Sequence, residues 1–274
     1  MKSILFSRSS VFLVCLCLAI LIGVTLPITC RAQIEARELP TRPGVTIRFV
    51  YARAAVPIVN AILFQGGEGN VGVHPDGSVR SSGFLAAGAQ RFINEGVTVA
   101  VVDVPSDRRS LDQFRASAEH ATDAMAVVSF LREQNHQPVW VVGTSAGSLS
   151  AASIAAMRIE NGPDGVVLTS SVTTASRFGI NRVTLAPLEN IDKPVLFVHH
   201  KEDGCRSTPY ADIPAVQARL IHAPKIELIT VEGGLIRGDP CRSGHHQYLG
   251  IEEQVTQQIA QWIKEQSVNG NPAR

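Results

Sequence analysis

Residues 143–147 read Gly-Thr-Ser-Ala-Gly, a G-x-S-x-G pattern centred on Ser145. The spacing has a mechanical reason. A serine presented as a nucleophile between a strand and a helix sits on a sharp turn, and glycines on either side remove side chains that would collide as the chain doubles back. The neighbours suit such a turn: Val139-Trp140-Val141-Val142 reads as an apolar strand entering it, and Ala-rich residues 151–156 read as a helix leaving it. Gly and Ser are common, so the pentapeptide alone is a weak signal, and its context is what singles it out. A serine so placed needs an acid and a base from further along the chain. The strand-like run Val195 to Val198 is followed by His199-His200-Lys201-Glu202-Asp203-Gly204-Cys205. A second such run, Ile226 to Val231, is followed by a Gly-rich loop, Cys241 and Ser243-Gly244-His245-His246. Read from these residues alone, the acid is Glu202 or Asp203 and the base is His245 or His246.

With these residues in view, the chain resembles the α/β-hydrolase superfamily over nearly all of its length beyond residue 32. More narrowly it is similar to small secreted bacterial α/β-hydrolases whose acid loop reads Asp-Gly-Cys, here Asp203-Gly204-Cys205, and whose His loop contains a second Cys, here Cys241. The resemblance implies Ser145 as nucleophile and Asp203 as the acid that orients the imidazole. It also implies His246, four residues before Gly250, as general base. It implies hydrolase chemistry through an acyl-enzyme and names no substrate. A tetrahedral intermediate also needs two N–H donors aimed at its oxygen. One is expected from Ala146, just after the nucleophile, and the other from Gln65-Gly66-Gly67-Glu68-Gly69, at Gly67 or, second, at Glu68. The family usually has His-Gly where this chain has Gln65-Gly66, which leaves a backbone donor possible.

The elements that must hold these groups alternate along the chain. Strand-like runs cover Val45 to Arg53, Ile58 to Phe64, Val97 to Val102, Val139 to Val142, Val166 to Leu168, Val195 to Val198 and Ile226 to Val231. Helix-like stretches cover Phe84 to Asn94, Ala116 to Gln134, Ala146 to Ile159, Ala215 to Ile221 and Ile251 to Lys264. Short apolar strands separated by helices imply a mostly parallel central sheet with helices on both faces, in a single α/β domain over residues 33–274. The stretch from Val172 to Lys193 is too short for a substantial cap domain, so the site is expected to be open, with Ser171 to Phe178 as one wall. Asp103 and Asp107 are expected either to line the crevice at the strand ends or to cap loops.

Residues 1–32 read as an export signal: Lys2 and Arg8 precede an apolar run from Val11 to about Leu26, and Cys30-Arg31-Ala32 offers small residues for cleavage after Ala32. Gly23, Thr25 and Pro27 break the run, which is short for a membrane span of about 20 residues. Cleavage would leave 242 of the 274 residues and, with Lys2, Arg8 and Arg31 gone, change the formal charge from +1 to −2. Of the five cysteines only Cys205 and Cys241 would remain, and an oxidising compartment points to one disulfide between them. A near-neutral chain that is 45% apolar fits one well-packed domain and gives no reason to expect a nucleic-acid partner. No cofactor or metal is expected. Gly67-Glu68-Gly69-Asn70-Val71-Gly72 matches a dinucleotide fingerprint, but Val73-His74-Pro75-Asp76-Gly77 cannot open the helix that would bind a pyrophosphate. His199, His200, Asp203 and His246 lack metal-ligand spacing. The function expected is a serine hydrolase acting on a small ester, thioester or amide, outside the cytoplasm, in the periplasm or secreted. An acyltransferase with the same triad, or a silent binding protein on the same fold, is the alternative.

Overall fold

The computed structural model describes residues 32–174 and 179–269. The expected signal, residues 1–32, lies outside the described residues except for Ala32, as does the part of the expected cleft wall at residues 175–178. Eight strands form one sheet in the order β1-β2-β4-β3-β5-β6-β7-β8. They are β1 (Gln33–Arg42), β2 (Val45–Arg53), β3 (Val59–Phe64), β4 (Val97–Pro105), β5 (Val139–Thr144), β6 (Gly165–Thr169), β7 (Val195–His200) and β8 (Ile226–Val231). From β4 through β8 every neighbouring pair is parallel, whereas β1 and β2 are antiparallel additions at one edge.

The helices are α1 (Ala89–Asn94), α2 (Ala118–Asn135), α3 (Gly147–Ala156), α4 (Ile213–Gln217) and α5 (Glu252–Asn269). Helices α2, α3 and α4 pack with Phe64, Val141 and Phe197 on one face of the sheet. Helices α1 and α5 pack with Leu63, Trp140 and Val198 on the other. That two-sided cover is why β3, β5, β6 and β7 are buried at every position and read as continuous apolar runs. Ser117 caps α2 by accepting from the His120 amide at 3.1 Å, and His136 ends it in the left-handed region at φ 57°. Between β6 and β7 the described residues form only short 3₁₀ turns, with no cap domain among them.

Two expectations need correction. Strand β1, Gln33–Arg42, precedes the first expected strand-like run at Val45. It is an edge strand whose Glu35, Arg37, Glu38 and Pro40 hide any alternation, and it is held by backbone pairing to β2. Helix α1 starts at Ala89 rather than at Phe84, because side chains capture the preceding amides. The Phe84 amide donates to Gln247 Oε1 at 2.8 Å and the Ala86 amide to Gln65 Oε1 at 3.0 Å.

Candidate active site

Four loops at the carboxyl ends of parallel strands β3, β5, β7 and β8 carry the expected chemistry to one edge of the sheet, where crevices form in such folds. Ser145 follows β5 at φ 54°, in a region a non-glycine residue enters at a cost of about 1–3 kcal/mol. The turn is overdetermined. The Ser145 amide donates to Thr169 O at 2.9 Å, and Ser148 N donates back to Ser145 O at 3.0 Å as α3 begins. A Cβ on Gly143 would collide with the Gly147 backbone, and one on Gly147 with the carbonyl of Phe64. The G-x-S-x-G spacing is therefore steric: each glycine is a place where two backbone segments touch.

Asp203 sits in the turn after β7 with its carboxylate fully buried. His246 Nδ1 donates to its Oδ2 at 2.9 Å and Thr208 Oγ1 donates to the same oxygen at 2.8 Å, while the Cys205 amide donates to Oδ1 at 2.9 Å. Burial pushes the Asp203 carboxyl up, but the His246 hydrogen bond and charge, the Cys205 amide and His199 outweigh it and hold the group below its ordinary value. Glu202, the other candidate acid, contributes backbone contacts instead: its amide donates to His200 Nδ1 at 3.0 Å, and its carbonyl accepts from His245 Nδ1 at 3.0 Å. His245 stacks on His200 with ring centroids 3.8 Å apart. The structure thus brings His246, not His245, to Asp203.

With Nδ1 donating to Asp203, the imidazole of His246 presents Nε2 as an acceptor. That atom is buried and makes no hydrogen bond. The loop of His246 is tied to the surroundings of Ser145 through the end of β6. Thr169 O accepts from Ser145 N, and Oγ of the next residue, Ser170, donates to His246 O at 3.0 Å. In ligand-free serine sites the nucleophile–base bond commonly tightens only around substrate.

Facing the serine is the loop after β3. A Cβ on Gly66 would lie 2.7 Å from Ser145 Cβ and 3.3 Å from Ser145 Oγ, so this backbone runs directly against Ser145. Gly67 has φ 58°, and among the described residues no acceptor takes its N–H or that of Ala146. A cleft of about 530 Å³ opens here, lined by Ser145, Ala146, Gly67, Glu68 and both Cys205 and Cys241.

Cys205 and Cys241 are bonded, with Cα atoms 4.6 Å apart and a sequence separation of 36. The bridge ties the loop carrying Asp203 to the loop carrying His246. Closing a loop of this length is worth about 4 kcal/mol in the chain-entropy model. Reduction is expected to lower the midpoint of thermal unfolding by roughly 8–16 °C for a domain of this size, and to reduce activity with it. A differential scan with and without reductant reads the shift. An unchanged midpoint in protein whose thiols have become titratable would overturn the prediction.

Several contributors gave no signal in the sequence. Thr208 touches both Asp203 and His246, the latter at 3.3 Å from Nδ1. His199 Nε2 donates to Thr208 O at 2.9 Å and lies 3.5 Å from Asp203 Oδ2, with burial pushing the ring below its ordinary value against the pull of Asp203. Tyr248 Oη donates to Val198 O at 2.8 Å and accepts from Ser170 Oγ at 3.0 Å, anchoring the His246 loop to the sheet. Asp103, in contrast, takes the loop-capping option, whereas Asp107 neither lines the cleft nor caps a loop and sits in a side-chain ion pair. Asp103 accepts from the amides of Val71, Gly72 and Val73, each at 2.9 Å, and Asp107 pairs with Arg42 at 3.1 Å. The Asp103 carboxylate thereby occupies the amides that a phosphate would need in the fingerprint-like stretch. Among the described residues no group of His, Cys, Asp and Glu is arranged to hold a metal ion.

Neither a protein-family model nor a curated relative matches the sequence. Solved structures do. Est1E from Butyrivibrio proteoclasticus, 17% identical, superposes with a TM-score of 0.58 over 85% of this chain and 98% of that one. An esterase from Pyrococcus furiosus, 14% identical, gives a TM-score of 0.61 over 85% of this chain and 91% of its own. A dienelactone hydrolase from Anabaena variabilis, 16% identical, gives 0.56 over 85% and 96%. At such identities the likeness is one of fold and leaves the chemistry to the residues.

Proposed function

We propose that this chain, an α/β-hydrolase by fold, is a serine hydrolase that cleaves a small ester, thioester or amide through an acyl-enzyme on Ser145. The observation that carries the reading is His246: its Nδ1 is bonded to a buried, ionised Asp203 while its Nε2 is buried and free to accept a proton. On this reading His246 takes the Ser145 proton as Oγ attacks the carbonyl carbon, and the resulting imidazolium is stabilised by Asp203. The negative charge on the former carbonyl oxygen is met by the amides of Gly67 and Ala146. His246 then protonates the leaving group, and the same base activates water to release the acid. That the structural neighbours include an esterase and a dienelactone hydrolase supports the reaction class. The test is labelling with a fluorophosphonate followed by a panel of short- and long-chain esters. Stoichiometric adduct on Ser145 with water-dependent product release is the expected result. No adduct would overturn the serine mechanism, and product that forms only with an added alcohol or amine acceptor would make the protein an acyltransferase.

We infer further that the protein is exported. The disulfide supports this, since such bonds persist in oxidising compartments. Mature protein is expected to begin at or near Gln33, which terminal sequencing of exported material reads. Peptides containing Lys2 recovered from a membrane fraction would overturn it.

A further inference from the structure

Arg115 is a buried cation without an ion-pair partner. It lies between β4 and α2, is 1% exposed, and forms no salt bridge with a carboxylate among the described residues. Asp112 is the negative charge that acts on it, from beyond ion-pair distance. Burial lowers its pKa to about 10, with only Asp112 pulling it upward, so the guanidinium stays charged at neutral pH. His120 beside it is kept neutral, its pKa lowered to about 3 by burial and then by Arg115, Arg108 and Arg42. A charge without a bonded counter-ion is costly in a protein interior, and Nε of this one even lacks a hydrogen bond.

What the guanidinium does touch is specific. Nη2 donates to Gly67 O at 2.9 Å and to Gln65 O at 3.2 Å, and Nη1 donates to Ser150 Oγ at 2.9 Å. Ser150 lies on α3, whose start carries Ala146. The two carbonyls belong to the peptide units joining Gln65 to Gly66 and Gly67 to Glu68. Between them lies the unit joining Gly66 to Gly67, which bears the Gly67 N–H, and its own carbonyl accepts from Gly69 N at 3.2 Å. All three successive carbonyls are thus held on the side of Arg115 and Gly69. Gly69 itself, at φ 82°, has no room for a side chain: a Cβ would lie 2.6 Å from Leu111 Cδ1 and 3.0 Å from Arg115 Nη2.

We infer that Arg115 is a positioning residue for the oxyanion hole: one buried guanidinium locks the Gly66–Gly67 peptide between two anchored neighbours and ties that loop to the nucleophile helix. This rests on the serine-hydrolase reading above. The fork geometry matters because three acceptors on two segments are reached from one planar group, which a lysine ammonium reproduces only in part. The fixed positive charge also polarises the flanking peptides, in a site where reorganisation during the reaction would cost rate.

The experiment compares wild type with Arg115→Met, Arg115→Lys and Ser150→Ala in the full chain. Burst titration with a fluorophosphonate gives the fraction of competent sites, and the rate of inactivation is measured per competent site. For Arg115→Met we expect kcat and the inactivation rate to fall about 100-fold, the scale of losing one oxyanion donor, with KM changed less than about threefold. Arg115→Lys should recover part of the loss, and Ser150→Ala should lose only a few-fold. A purely structural role would instead lower the competent fraction and leave the rate per site unchanged. If Arg115→Met does not fold, the other two variants decide, and wild-type rates per site in both overturn the inference. Absence of labelling in wild type overturns the serine mechanism itself. Normal wild-type labelling with unaltered variants overturns only the role of Arg115.

Discussion

Ser145→Ala protein is expected to fold normally and to lose about 10⁴- to 10⁶-fold in kcat on any ester the wild type cleaves. The size follows from what is removed. Without Oγ there is no acyl-enzyme, and the remaining rate is what the cleft and the two backbone donors provide to direct attack by water. The fold should survive because the turn is held by the main chain: Ser145 N to Thr169 O, Ser148 N to Ser145 O, and glycines at 143 and 147 packed against neighbouring backbone. Alanine keeps the Cβ at φ 54° and adds no new clash. Circular dichroism and the unfolding midpoint should therefore match wild type while turnover and fluorophosphonate labelling disappear. Retention of near-normal esterase activity would remove Ser145 from the mechanism, whatever the geometry around it.

The parts of this molecule that were legible in the sequence are those where a local rule and the tertiary structure ask for the same residues. Strands β3, β5, β6 and β7 are buried on both faces, so their apolar runs announce them. Gly143 and Gly147 announce the turn because the backbone contacts they permit admit no other residue. Cys205 and Cys241 could be paired because the export reading leaves no other cysteines. What stayed hidden depends on long-range partners. Strand β1 exists through its ladder to β2, and its charged, proline-containing sequence carries no periodic signal. The first turn of the expected helix at Phe84 is undone by Gln65 and Gln247, the latter 163 residues away in sequence. Arg115 and Thr208 are invisible for the same reason: their acceptors are the carbonyls of a distant glycine loop and a carboxylate in another turn. Gln65 stands where the resembled family has histidine, and here its side chain secures the 84–86 segment while its carbonyl accepts from Arg115.

The two adjacent histidines offer the sharpest discrimination among the remaining residues. His246→Ala is expected to lower kcat about 10⁴-fold or more, approaching Ser145→Ala, because nucleophile and base act as a unit whose losses do not add. His245→Ala should cost less than about tenfold: it removes a donor to Glu202 O and a ring stacked on His200, contacts that shape the acid turn without meeting Asp203. The stability profiles should separate as well. In wild type the Asp203 carboxyl titrates below its ordinary value, so in the folded state it favours ionisation more than in the unfolded chain. Such a group contributes stability at pH above about 4 and loses it as the pH falls through the lower folded value. His246 supplies the principal downward pull on that carboxyl, by hydrogen bond and by charge, against the upward push of burial. Removing the ring should therefore shrink the acid-limb loss of stability, which urea unfolding midpoints between about pH 2 and 5 would read, whereas His245→Ala should keep it. A reversed order of the two kcat losses would transfer the base to His245. Mild losses in both variants would remove histidine from the chemistry and leave the bond between Asp203 and His246 as a purely structural link between the two loops.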